Sequence, residues 1–302
     1  MLLVAIWPIF ALICLGYVLA RNGFPSPDFW PAAERINYFL LFPALLLSSL
    51  ADAPLHDRAV PWLGAAAVAT ILVAAAILGL VRRLRPMPAD RFGPVLQGVV
   101  RFNTYLALSI LATLAGTEGV ERAAVYIAVA VPVGNILAII ALTGAHASHT
   151  PLALIRTIAR NPLIIACLAG FALALGGIGL PAGSGSFLDL MGRASLPLGL
   201  LCVGAALQPA AMRRDLPGLT GTVLIRLLAM PALAAMVARI LGLSGVEALV
   251  LITFSAVPTA PSSYVLTRQL NGDGTFMAGI VTAQTMAAVI TIPLILLVLQ
   301  VH

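Results

Sequence analysis

The sequence predicts an all-α polytopic membrane protein of ten transmembrane helices, and three observations carry that prediction. The 302 residues are 61% hydrophobic and only 9% charged, with a mean hydropathy of +1.06. A soluble domain carries roughly 25% charged residues, and disorder needs low hydrophobicity with high net charge, so both classes are excluded. The apolar residues also fall into long runs separated by Pro, Gly and charge clusters. At ~22 residues per span, ten spans take ~220 residues and leave ~80 for connections, too few for a second, soluble domain. Finally, the runs do not alternate as the ~10-residue strands of a β-barrel do. A lipid-exposed backbone must then satisfy its own hydrogen bonds, which requires helices.

The spans are expected at 2–20, 33–51, 61–81, 93–115, 123–145, 160–179, 187–207, 217–240, 246–267 and 275–299. The first contains Val18-Leu19-Ala20, a loose signal-peptidase-like site, but no basic stretch precedes it and the run exceeds the usual 7–15 apolar residues. It reads as a span. The second follows the Gly23–Pro31 connection, and the third lies between Arg58 and the Arg82-Arg83-Arg85 cluster. Asp90-Arg91 and Glu118 bound the fourth; Arg122 and His146 bound the fifth. Asn161-Pro162 opens the sixth, and the seventh runs up to the 208–216 connection. Arg213-Arg214-Asp215 precedes the eighth, Arg268 ends the ninth, and Asp273 precedes the tenth.

All 17 basic residues are arginine, against 11 acidic ones, for a net charge of +6. In a membrane protein this balance marks cytoplasmic loops rather than nucleic-acid binding. Eleven arginines (21, 35, 82, 83, 85, 91, 156, 160, 213, 214 and 268) fall on one side and four (58, 122, 193 and 239) on the other. That asymmetry places the 82–91, 146–160 and 208–216 loops in the cytoplasm and both termini outside. Arg101 and Arg226 remain, and both lie within spans. Cys14, Cys167 and Cys202 sit in apolar runs without ligand spacing and read as small fillers.

The two halves are related. Trp7-Pro8 matches Asn161-Pro162, Arg101-Phe102-Asn103 matches Thr253-Phe254-Ser255, and Ile136–Ile140 matches Val289–Pro293, at offsets of 152 to 154 residues. Two repeats of five spans, 1–145 and 160–302, joined by a cytoplasmic linker at 146–159, must insert upside down relative to each other. Inverted repeats are an architecture of secondary carriers.

Each half carries a polar interruption in its fourth span. Gln97 to Tyr105 places Arg101, Asn103 and Thr104 at mid-membrane, where burying Arg costs about 2.5–3.5 kcal/mol unless it faces a cavity or an anion. Ala256 to Tyr264 places Pro258 and Pro261 around Thr259, with Ser262 and Ser263 following. Two prolines three apart remove two donors and disfavour helix before them. A broken helix at this depth presents N-terminal half-helix dipoles that attract anions. Pro43, Pro132, Pro197, Pro231 and Pro293 are expected as packing kinks, and Asn37, Asn135 and Gln284 as interhelical hydrogen bonders. Arg226 reads as a weaker candidate that pairs near the cytoplasmic side. All eleven carboxylates, Glu34 among them, and His56, His146, His149 and His302 are expected in or beside loops. That leaves no intramembrane proton relay or sodium ligand. No metal site, cofactor motif or catalytic motif is present, so an enzyme is not expected.

At these residues the chain resembles the auxin efflux carrier family, which includes bacterial organic-acid permeases and the plant auxin exporters. Asn103-Thr104 resembles the family's fourth-span crossover, and Val257 to Leu266 its proline-rich ninth. Asn37 to Leu46 looks like its second span and Ala194 to Leu207 like its seventh. The family's fourth-span motif continues to Gly and Pro, whereas this chain reads Leu106-Ala107-Leu108-Ser109-Ile110, so the sharpness of this break stays open. The resemblance implies external termini, a scaffold and a mobile part holding crossed helices, elevator-like motion and often a homodimer. The function expected is a secondary transporter of a small organic anion, a mono- or dicarboxylate, with Arg101 as counter-charge and Asn103, Thr104, Ser262 and Ser263 as donors. The alternatives are a Na⁺- or H⁺-coupled symporter or antiporter of the same architecture, and a membrane sensor that does not transport.

Overall fold

The structure, a computed structural model, describes residues 2–51, 59–143, 161–180, 183–213 and 215–298. The 146–159 linker and His56, His146, His149 and His302 lie outside the described residues, as do Arg58, Arg156, Arg160 and Arg214 of the arginine count. Within them the chain is helical throughout, with no strand.

The helices are α1 (Leu2–Arg21), α2 (Phe29–Ile36), α3 (Phe42–Ala51), α4 (Ala59–Leu84), α5 (Ala89–Val100) and α6 (Thr104–Thr143). They continue with α7 (Pro162–Leu175), α8 (Ser184–Ala205), α9 (Leu216–Leu224), α10 (Met230–Ile240), α11 (Gly245–Ala256), α12 (Ser262–Gln269) and α13 (Gly274–Val298). Five helical stretches are long and apolar enough to cross a membrane: Val60–Leu84, Ala89–Thr143, Ser184–Ala205, Leu216–Ile240 and Gly274–Val298. Shorter apolar helices run over Ile6–Arg21, Pro162–Leu175 and Gly245–Ala256. This is a multi-pass membrane protein.

The connection expected at 116–122 is a single-residue break. Gly116 sits at φ 57°, ψ −140°, and helix resumes at once, so α6 is two helices meeting at a kink. A positive φ is cheap only for glycine, and the helix continues through Thr117-Glu118-Gly119 despite the low propensity of Thr117 and Gly119. Two prolines expected as kinks act one turn upstream instead. Residues Asn37–Leu41, before Pro43, and Ile225–Ala229, before Pro231, form π turns closed by Phe42 N–H to Asn37 O and Met230 N–H to Ile225 O. A proline cannot donate to the preceding turn, and widening that turn relieves its ring. Pro132, Pro197 and Pro293 sit inside continuous helix.

The helices pack as two groups. In the first, α1 lies along α8, and α3 packs on α7 and α8. Gly16 and Gly204 allow that approach, since a Cβ on either would overlap the backbone of Leu201 or Ile13, a small-residue interface of the membrane kind. In the second, α4, α6, α10 and α11 pack together, and α13 runs beside α9, α5 and α12. Ion pairs tie helix starts at its two ends. Arg91 at the start of α5 bonds Asp215, which caps α9, and Asp273, which caps α13, the latter at 2.9 Å. Arg122 pairs with Glu247, at the start of α11, at 3.0 Å. The most deeply buried stretches are the end of α5, the start of α6, the end of α11 and the first half of α13. The core of this group therefore lies where the broken helices meet.

Candidate functional site

Both interruptions predicted in the fourth and ninth spans are present. Residues 101–103 separate α5 from α6, and residues 257–261 separate α11 from α12. Arg101 ends α5 at φ −86°, ψ 156°, and Val257 ends α11 at φ −75°, ψ 152°, so both helices exit through the same extended geometry. The structural match to Arg101 is thus Val257. Thr253-Phe254-Ser255, its partner in the sequence comparison, is the buried last turn of α11, one helical turn earlier.

The two breaks touch directly. The Asn103 N–H donates to the Pro258 carbonyl at 2.8 Å. Asn103 is buried, and its Oδ1 accepts from Leu106 N–H at 3.2 Å, starting α6, while its Nδ2 has no partner in the structure. Phe102 packs edge-on against Tyr126 and Phe254, which stack at 4.2 Å. Thr259 is fully buried: its N–H donates to Gln284 Oε1 at 2.9 Å, and its Oγ1 to the Gln97 carbonyl at 3.0 Å. Gln284 also donates to the Gly98 carbonyl at 2.9 Å and the Thr222 carbonyl at 3.2 Å, so the bonder expected in the tenth span ties both breaks together. Ser263 is buried against Thr259 Oγ1 at 3.3 Å. Thr259, Ser263 and the Pro258 carbonyl therefore hold the crossing and do not line a cavity.

The residues that do line one are Arg101, Thr104 and Ser262, joined by Tyr38 and Asn135, around about 60 Å³. That is room for roughly four or five waters, or one carboxylate-sized group. Among the described residues, Arg101 is held by neutral oxygens alone, Gln97 Oε1 and Ser262 Oγ, both at 3.1 Å. Thr104 opens α6 and Ser262 opens α12, so two helix N-termini meet beside the guanidinium. Pro261 and Ser262 also line a second cavity of about 490 Å³, with Trp30, Glu34, Cys202 and Tyr264.

Arg226 has a role that its sequence context does not reveal. Buried to 1% exposure in its π turn, it donates Nε to the Val257 carbonyl at 2.7 Å, Nη1 to Val99 at 2.7 Å and Nη2 to Phe254 at 2.5 Å. Those carbonyls are the free C-terminal ends of α5 and α11, which carry partial negative charge. Arg226 neutralises them and spends its donors there, instead of pairing at the cytoplasmic side. Glu34 also departs from expectation. It lies on helix α2, part-buried, and accepts from the Tyr105 hydroxyl at 3.3 Å. Pro31 and the polar residues around it give this stretch the look of a loop, yet Trp30 and Glu34, one turn apart, face the larger cavity.

A family model described as membrane transport protein matches residues 1–296. An uncharacterized transporter of Methanothermobacter thermautotrophicus is 23% identical over 291 residues, covering 95% of this chain and 94% of that protein. The chain belongs to the membrane transport protein family, the auxin efflux carrier-like group of membrane transporters.

Proposed function

We propose that the protein is a secondary carrier of a small organic anion, a mono- or dicarboxylate, in the cytoplasmic membrane. The observation that carries this reading is the contrast between its two membrane-depth arginines. Arg226 is saturated by three carbonyls, whereas Arg101 meets only neutral side-chain oxygens at the wall of a cavity flanked by two helix N-termini. A cation so placed, with the opposing helix ends already neutralised, favours an anion there. Arg101, Thr104 and Ser262 contact the carboxylate; Asn103, Pro258, Thr259, Pro261 and Ser263 shape the crossing behind them.

The architecture we propose is ten spans in two inverted five-helix repeats, 1–145 and 160–302, with both termini outside. The pairing of the starts of α5, α9 and α13 at one end and of Arg122 with Glu247 at the other supports this alternation. The group α1, α2–α3, α7 and α8 serves as scaffold, and the group holding the crossing slides against it in elevator fashion. An inside-negative potential moves any net anionic cargo outward, at ~2.3 kcal/mol per charge per 100 mV, so export is the direction favoured.

The test is counterflow in proteoliposomes, which needs no driving gradient. Vesicles loaded with unlabelled lactate, malonate, succinate or malate are offered the same labelled compound. Exchange of at least one is expected, reduced about 10–100-fold in Arg101→Ala, the value of a charge-assisted hydrogen bond. Unchanged exchange in that variant would remove Arg101 from the site.

A further inference from the structure

The larger cavity holds a carboxylate that the anion site does not use. Glu34 is part-buried on α2, and no cation pairs with it among the described residues. The groups facing it are the Tyr105 hydroxyl from α6 at 3.3 Å and the Cys202 thiol from α8. Tyr264 of α12 lines the same cavity, while α13 adds only Ala278 and Val281. Tyr38, in the π turn, lies within electrostatic reach of both Glu34 and Arg101. Arg35, next in the chain, is exposed. Ser262 completes the connection, since it lines the Glu34 cavity and accepts the Arg101 Nη2–H at 3.1 Å. Ser262 is thus common to the cavity of the negative side chain and the cavity of the positive one.

We infer that Glu34 is a proton-binding site linked to the anion site, so that the carrier moves a carboxylate together with a proton. This rests on the anion reading above. Ionised Glu34 repels an anion entering past Ser262, and a proton on its carboxylate removes that repulsion. Linkage is reciprocal: a bound anion favours the proton by the factor by which the proton favours the anion. For charges on the order of 10 Å apart at an effective dielectric constant of about 20, that factor is about tenfold. With a proton aboard, lactate crosses without net charge and follows a pH gradient, while succinate still carries one negative charge and responds to the potential as well.

Two measurements test it. Infrared titration of the purified protein should show a carboxylic acid C=O band that appears on acidification and is missing from Glu34→Gln. In vesicles, an inward proton gradient should drive net lactate uptake by the native protein. Glu34→Gln should retain lactate counterflow, with apparent affinity at neutral pH raised about tenfold, but lose the response to the gradient. Glu34→Asp should restore the response and show that the site tolerates substitution. Identical titration of native protein and Glu34→Gln, or an equal gradient response, would overturn the proposal. If none of lactate, malonate, succinate and malate exchanges in any of these proteins, the anion reading falls, and the infrared titration alone decides whether Glu34 is a proton site.

Discussion

Between α5 and α6 three residues leave the helix, Arg101 to Asn103, and none is proline; between α11 and α12 five do, Val257 to Pro261, and two are. The first break is made by competition. Asn103 offers Oδ1 to the Leu106 N–H in place of a backbone carbonyl, and its own N–H goes to Pro258 across the crossing. Asn is suited to this because its side chain mimics the backbone acceptor. The second break is made by subtraction, since Pro258 and Pro261 have no N–H to give, and Gln284 fixes what remains by taking the Thr259 N–H. Shape is shared while chemistry differs, and only the break lacking proline carries a charge. The side that carries Arg101 is held by one side-chain cap and one backbone bond; the other side is held by several bonds at once.

Arg226 joins the two sides, and removing it has the largest expected effect. Arg226→Ala leaves the carbonyls of Val99, Phe254 and Val257 buried without donors. Unsatisfied buried acceptors cost about 1–3 kcal/mol each, so a loss of about 3–5 kcal/mol is expected, read as a fall in the thermal midpoint of detergent-solubilised protein together with loss of exchange. Arg226→Lys should recover part of it, because an ammonium reaches fewer of three carbonyls spread over two helices than a planar fork does. A midpoint unmoved in Arg226→Ala would mean the crossing is held without it, and the comparison would lose its common element.

The legibility of these residues follows from where their partners lie. Proline and arginine inside apolar runs are visible locally, so both breaks and Arg101 can be read from the sequence, as can the helical class. Arg226 cannot be, because its acceptors come from α5 and α11, far along the chain, and nothing local separates it from an arginine at a helix end. Thr259 and Ser263 read as donors to a substrate by residue type, yet the crossing absorbs them, a choice made by packing. Glu34 falls at the start of the expected second span, 33–51, and reads as a residue beside a loop because Pro31 precedes it, although proline is tolerated in the first turn of a helix. Tyr38 and Asn135 reach the cavity from other spans, and the sequence marks them only as part of the second-span stretch and as an interhelical hydrogen bonder.

Asn103 comes next in size and separates shape from charge. Asn103→Ala removes the acceptor for Leu106 N–H but keeps the backbone bond to Pro258, so the cost expected is that of a helix cap, about 1 kcal/mol. Asn103→Asp restores the acceptor and drops the amide Nδ2, which has no partner in the structure. An ionised carboxylate at this buried position pays the cost of leaving water, so the variant's thermal midpoint should stay below that of the native protein. Its exchange of carboxylates should fall as well, since a negative charge two residues from Arg101 opposes the anion. A lowered midpoint with exchange at the native level would show that the cavity is indifferent to charge, and the reading of Arg101 would fall with it.

The smallest effect on exchange is expected where the sequence signal is strongest. Pro258→Ala returns an N–H to the ninth-span break, and on the view that proline alone breaks the helix, α11 should grow through it. For that, the new N–H would have to bond Phe254 O, which already accepts from Arg226, and the Thr259 N–H would have to leave Gln284. The Pro258 carbonyl would also have to turn from the Asn103 N–H. Extending the helix would disrupt several buried bonds to form one, so the break should persist. The variant should then lose the stiffness of the proline ring, about 0.4–1 kcal/mol through the unfolded chain, and bury one new N–H without an acceptor, about 1–3 kcal/mol, while exchange stays within about twofold of native, less than half a kcal/mol by the usual conversion. Loss of exchange like that of Arg226→Ala would reverse the order of cause. The prolines would then be what keeps the helix open, and the polar bonds around Thr259 would follow from the break instead of holding it.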